Sequence, residues 1–310
     1  MKITHYSFAR LFLWLILLVG CSPVVQAQDH RFDPPWNTPP KGGVNFTVAG
    51  IDNVPDLYGD INNPQLVIFF AGNQYMVIDE LLQTFKKAYP QYERIFAETL
   101  PPGILMQQIK AGSLVMGNMR ISLQPDIYTA GKPRFIKNLE DYSRTVAYMR
   151  NHLAIMVRQG NPLGIKSLQD LGRKDVRVSM PNPAWEGIGK KIEQAYVKAG
   201  GEALEKQIMG TKVKNGSTIL TRIHHRQTPL NILNGQSDAG PVWISEVLYH
   251  QNIHHPVELV KIPDSQNVYV TYMAGALKTA PHPKAAEDFL TFLSGPVARS
   301  IYKKYGFQNP

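Results

Sequence analysis

The stretch NPLGIKSLQDLGRKDVRVSMPNPAWEGIGKKIEQAYVKAG, residues 161 to 200, decides the reading of this chain. It reads as a loop, a short helix, a strand, a Pro-rich loop and a long helix. Pro181, Pro183 and Gly187 tighten the backbone between Val178 and that helix. Free N–H groups and the helix dipole at such a start hold an anion or a polar ligand. Ala184, Trp185 and Gly187 are therefore candidate ligand contacts.

Towards the N-terminus the same alternation recurs. Gln65 to Phe70 (QLVIFF) is a short apolar run ended by Ala71-Gly72-Asn73, as expected of a buried parallel strand. Val77, Leu81, Leu82 and Phe85 then fall at helical spacing, and Tyr89-Pro90 stops the helix. A strand near Arg94 to Glu98, the turn Leu100-Pro101-Pro102-Gly103 and a helix from Ile104 to Ala111 follow. Strand–helix alternation predicts an α/β fold with parallel, doubly wound sheets. Residues 44 to 51 alternate as a strand, and the following VPDLYGDINNP reads as turns.

Towards the C-terminus, TVAYMR and HLAIMVR read as strands crossing into a second lobe, and VYVTYMAGAL reads as the strand leading back. The expected organisation is an export signal over 1–20, then a Pro-rich tether and extra N-terminal segment over 21–63. Lobe 1 is 64–150 plus 266–310, and lobe 2 is 151–265. About 280 residues after the signal exceed the usual size of one compact domain. Two sheets joined by two crossover strands leave a cleft between lobes, a preferred ligand site.

Lys2 and Arg10 precede the apolar run Leu11 to Val19, followed by Gly20 and Cys21, which is the layout of an export signal. The run is short for a transmembrane helix. Cys21 is the only cysteine, so the fold has no intrachain disulfide and no cysteine nucleophile. The signal carries two of the positive charges, taking the formal net charge from +9 to +7. No Lys/Arg run is dense enough for a phosphate stripe, so nucleic acid is not expected as a partner. The basic balance biases the protein toward anionic ligands.

Four segments resemble bacterial extracellular solute-binding proteins, especially the molybdate-binding type: QLVIFFAGN with DELLQTFKKAYP; PPGILMQQIKAG with PDIYTAG; residues 161 to 200; and ILNGQSDAGPVWISEVL through AAEDFLTFLSGPVARSIYKKYGF. The resemblance implies the two-lobed, type II periplasmic binding-protein fold. It also implies capture of a small-molecule or oxyanion ligand for a membrane ABC transporter permease, by a monomer without cofactor. Cys21 after Leu18-Val19-Gly20 resembles a lipobox, which implies a lipidated cysteine and a periplasmic or cell-envelope protein tethered to a membrane; cleavage after Val25-Gln26-Ala27 is the alternative. Molybdate-binding members present serines after the first and second strands. Here those places hold Asn73-Gln74 and Pro101-Pro102, and Trp243 stands where a tyrosine is frequent. Asn73, Gln74 and Trp243 are candidate ligand contacts, against roles as a helix or turn cap and a core residue. Pro102 and Gly103 are candidate ligand contacts too, against a role in shaping the adjoining turn.

His224-His225, His250 and His254-His255 support a rival reading, a periplasmic metal-binding accessory protein. Their adjacent pairing is not the i, i+4 spacing of a helical metal site. Arg222, His224 and Arg226 are cations able to draw an anion into a cleft. A ligand-sensing subunit for a membrane receptor is a further alternative on the same fold. No GxSxG, Walker loop or dinucleotide fingerprint is present, so no enzyme is expected. Glu98 reads as a strand-end carboxylate near the cleft.

Overall fold

A computed structural model describes residues 56–116, 119–184, 186–222 and 225–310. The expected export signal over 1–20, Cys21, the expected strand over 44–51, Trp185 and His224 lie outside the described residues.

Ten strands form one sheet, in the order β1-β3-β2-β6-β12-β7-β10-β8-β9, with β11 also paired to β7. One parallel group is β2 (Leu66–Ala71), β3 (Ile95–Leu100) and β6 (Ile127–Gly131). The other is β8 (Val178–Met180), β9 (Thr218–Leu220) and β10 (Ala239–Trp243). Between them run β7 (Tyr142–Arg158) and β12 (Tyr269–Leu277), antiparallel to each other. Two short strands, β4 (Leu114–Met116) and β5 (Met119–Ile121), make a separate hairpin.

β7 is a single strand of 17 residues where the sequence suggests two. From Tyr142 to His152 it pairs with β12. From Leu153 onward it carries β10 on one side and β11 (Val257–Lys261) on the other. The junction between β11 and β12 falls at Leu153. There the Asn267 side chain acts as a ladder partner: its Oδ1 accepts the Leu153 N–H (3.0 Å) and its Nδ2 donates to the Leu153 carbonyl (2.9 Å).

The segment read as turns contains an edge strand, β1 (Leu57–Gly59), antiparallel to β3. Three residues with one exposed end show no readable alternation, which is why the pattern misses it. Gly59 is required there: φ is +85° and a Cβ would meet the Ile95 carbonyl oxygen at 2.0 Å.

Helices cover the sheet. α1 (Ile78–Ala88) buries Ile78, Leu81, Leu82 and Phe85, the spacing expected of one face. Phe85 stacks on Tyr89 and Tyr92 and meets Phe289 and Phe292 edge-on. Truncating such a ring to alanine costs about 3–5 kcal/mol. α2 (Pro102–Ala111) starts on a proline at its first position, where no N–H is needed. α3 (Gly187–Glu205) is the long helix of the deciding stretch, with irregular backbone at Gly200 and Gly201. A π-helical turn, Lys206–Thr211, continues it. α4 (Gln227–Leu233), α5 (Ile244–Asn252), α6 (Pro283–Leu293) and α7 (Pro296–Lys304) are the other α-helices of seven residues or more among the described residues. Gly189 lets the Pro-rich loop lie on α3, because a Cβ there would meet Pro181 O and Pro183 N at 2.6 Å.

Candidate functional site

The loops leaving the carboxyl ends of β2, β3, β8, β9 and β10 bring their residues together. In open α/β sheets that edge is where ligands bind. The loop after β2 supplies Asn73, Gln74 and Tyr75, and the end of β3 supplies Thr99. The loop after β8 supplies Glu186, the loop after β9 His225 and Arg226, and the turn after β10 Trp243 and Glu246.

Arg226 is 3 % exposed. Its Nη2 pairs with the Asp56 carboxylate, and its guanidinium lies over the Tyr75 ring, 4.7 Å from the centroid. Asp56 is fixed in turn by Thr99, whose N–H donates to its carbonyl at 2.9 Å and whose hydroxyl reaches its carboxylate at 3.5 Å. A buried guanidinium is tolerable only when paired and hydrogen-bonded.

His225 sits between two buried carboxylates. Its Nδ1 is 2.8 Å from Glu186 Oε2, and its Nε2 is 3.5 Å from Glu246 Oε1. Burial opposes a charge on this imidazole, but the Glu246 and Glu186 carboxylates outweigh it and its pKa is raised. Glu246 is also raised, by burial, against the pull of the His225 charge. Both carboxylates sit at helix starts: Glu186 is the residue before α3, and Glu246, in the first turn of α5, accepts the Trp243 N–H at 3.2 Å. The positive ends of those helix dipoles favour negative charge there.

The sequence-selected residues fall as follows. Asn73 is buried beside the Tyr272 hydroxyl, and its Nδ2 has no hydrogen-bond partner. Gln74 is tied into the core, donating to Thr129 Oγ1 (3.1 Å) and accepting from the Tyr302 hydroxyl (2.8 Å). Trp243 is buried and meets Tyr272 edge-on at 6.4 Å. The Pro102 carbonyl accepts the Tyr128 hydroxyl, and Gly103 faces the Arg134 guanidinium. Ala184 and Gly187 are exposed, and Glu186 is buried.

Sequence reasoning overlooks Glu186, Glu246 and Asp56. Glu246 carries a local signal, since it stands three residues after Trp243 in capping-box spacing. The others act through partners 39 and 170 residues away. Away from this site His250 and His255 pair through their Nδ1 atoms at 2.7 Å. Among the described residues, no group of three or more His, Cys, Asp or Glu is arranged to hold a metal ion.

Residues 66–308 match the family described as bacterial extracellular solute-binding protein. The chain belongs to that family. Membership makes it a solute-binding protein rather than an enzyme. The molybdate-binding protein ModA of Mycobacterium tuberculosis (strain H37Rv) is 26% identical over 165 residues, covering 53% of this chain and 56% of the relative. The chain thus spans about half the length of that curated relative. The periplasmic molybdate-binding protein of Azotobacter vinelandii superposes with a TM-score of 0.63 at 16% identity, over 79% of this chain and 99% of that one. PEB3 bound to L-phospholactate, a protein of Campylobacter jejuni, gives 0.56 at 20% identity, over 79% and 100%. The fold of this solute-binding protein is the type II periplasmic binding-protein fold.

Proposed function

We propose that this solute-binding protein captures a small anion where the loops after β2, β3, β8, β9 and β10 meet, and delivers it to a membrane ABC transporter. The carrying observation is Arg226, a buried guanidinium at the carboxyl ends of the parallel strands. Asn73 Nδ2, a buried donor with no partner, adds a second group suited to an anion. The molybdate carried by one relative and the phospholactate carried by another are both anions. In this reading residues 64–150 with 266–310 and residues 151–265 are two lobes that close on the ligand. Export over 1–20 and lipidation at Cys21 put the protein in the cell envelope.

Thermal unfolding of the purified protein with molybdate, sulfate, inorganic phosphate and L-phospholactate tests the binding reading. At least one anion raises the midpoint in a saturable way, and Asn73→Ala weakens that rise. No shift with any of them refutes it. Replacing Cys21 with Ala releases the protein from membranes if the anchor is real; unchanged membrane association removes that part of the proposal.

A further inference from the structure

We infer that Glu186 and Glu246 restrict the ligand to a small anion carrying its own O–H or N–H donor, and that fully deprotonated tetrahedral oxyanions such as molybdate and sulfate are rejected. This rests on the anion-binding reading above and narrows it. The two helix starts that a bare oxyanion would use are already closed by carboxylates of the chain: Glu186 before α3 and Glu246 in the first turn of α5.

Glu186 commits one oxygen to the protein, its Oε2, which holds His225 Nδ1 at 2.8 Å. Glu246 commits both: Oε2 accepts the Trp243 N–H at 3.2 Å and Oε1 faces His225 Nε2 at 3.5 Å. The second oxygen of Glu186, Oε1, is buried without a hydrogen-bond partner. An ionised carboxylate only accepts. An unsatisfied buried acceptor costs about 1–3 kcal/mol, so a ligand that brings a hydrogen to it is favoured. Sulfate and molybdate bring none at neutral pH; they bring acceptors and negative charge, which these oxygens repel.

The charge count agrees. Among the described residues, the carboxylates of Glu186, Glu246 and Asp56 face His225 and Arg226, so these ion pairs set three carboxylates against two basic side chains. Adding a dianion with no proton to share deepens that imbalance. Hydrogen phosphate or a hydroxy or amino acid has a donor for a carboxylate. Each also has acceptor oxygens for Asn73 Nδ2 and the Arg226 side of the site.

Isothermal titration of the wild-type protein, E186Q and E246Q with inorganic phosphate, glycerate, sulfate and molybdate tests this. A Glu→Gln change keeps the shape and turns an acceptor-only group into one that also donates. The wild type binds phosphate or glycerate about tenfold or more tighter than sulfate and molybdate, and E186Q closes that gap by about tenfold through a gain for the two oxyanions. Wild-type binding of sulfate or molybdate as tight as that of the donor-bearing probes overturns the inference while leaving anion capture intact. So does an unchanged preference in both variants. Failure of all four probes to bind overturns the anion-binding reading as well. Should E186Q fail to fold, E246Q and the wild-type preference carry the decision.

Discussion

Replacing Glu98 with Gln should make the protein more stable at alkaline pH and leave it unchanged in acid. Glu98 is fully buried in β3. Its Oε1 accepts Gln108 Nε2 at 3.0 Å, while Glu98 Oε2 and Gln108 Oε1 have no partner. A proton on Oε2 gives that oxygen a hydrogen to donate, with the Gln108 oxygen as the unpaired acceptor of the same amide. Burial pushes this carboxyl up from 4.5 to about 8, against the Gln108 hydrogen bond and with a contribution from the Asp56 charge. Below 4.5 both folded and unfolded chains hold the proton, and Glu98 gives stability no pH dependence. Between 4.5 and about 8 the unfolded chain releases the proton and the folded chain keeps it, so stability falls as pH rises. At about 1.4 kcal/mol per pH unit the loss approaches about 5 kcal/mol near the upper end. The amide introduced by E98Q is never ionised and keeps a donor and an acceptor for Gln108, so the variant escapes this loss. Urea unfolding of both proteins from about pH 4 to about pH 9 measures the difference. Curves that match in acid and diverge by several kcal/mol in base are expected. A constant offset across the range refutes a neutral Glu98.

Three further outcomes are expected. Asp56→Ala and Arg226→Met each cost about 3 kcal/mol, because each removes one member of a buried ion pair, and the double variant costs well under their sum; additivity in a double-mutant cycle contradicts the pairing. Gly189→Ala lowers the melting midpoint through a cost of about 2 kcal/mol, since its Cβ meets backbone atoms of Pro181 and Pro183 that no side-chain rotation clears; an unchanged midpoint refutes the close approach. Burial, and then the charge of His255, pull His250 down from 6.5 to about 4, so its contribution is present above 6.5 and is lost as pH falls toward 4. His250→Phe therefore flattens the acid limb of the stability curve by about 3 kcal/mol, and a limb as steep as that of the wild type argues against it.

Much of the fold is legible where pattern and burial coincide. β2 is buried along its whole length and reads as an unbroken apolar run, while α1 buries the residues its spacing selects. β7 reads as two strands because its first half is only partly covered and its second half is buried, so its composition changes within one strand. The site is legible in place more than in chemistry. The sequence directs attention to the loops at 73, 184–187 and 243, and these loops do converge around His225 and Arg226. It does not show that Glu186 meets His225 or that Asp56 meets Arg226, because pairing across such separations is set by topology and leaves no local spacing to read. The Pro-rich turn before α3 suggests free N–H groups for an anion. The structure places the chain's own carboxylate, Glu186, at that helix start.

Asn267 gives the sheet a property that an ordinary ladder lacks. Backbone hydrogen bonds are common to every non-proline residue, so most substitutions leave a strand pairing in place. At Leu153 both bonds on that side come from the Asn267 amide. The joint between β11 and β12 is therefore written in one codon. A single base change to Asp or Ser alters the stiffness of the sheet at its middle without touching the strands themselves.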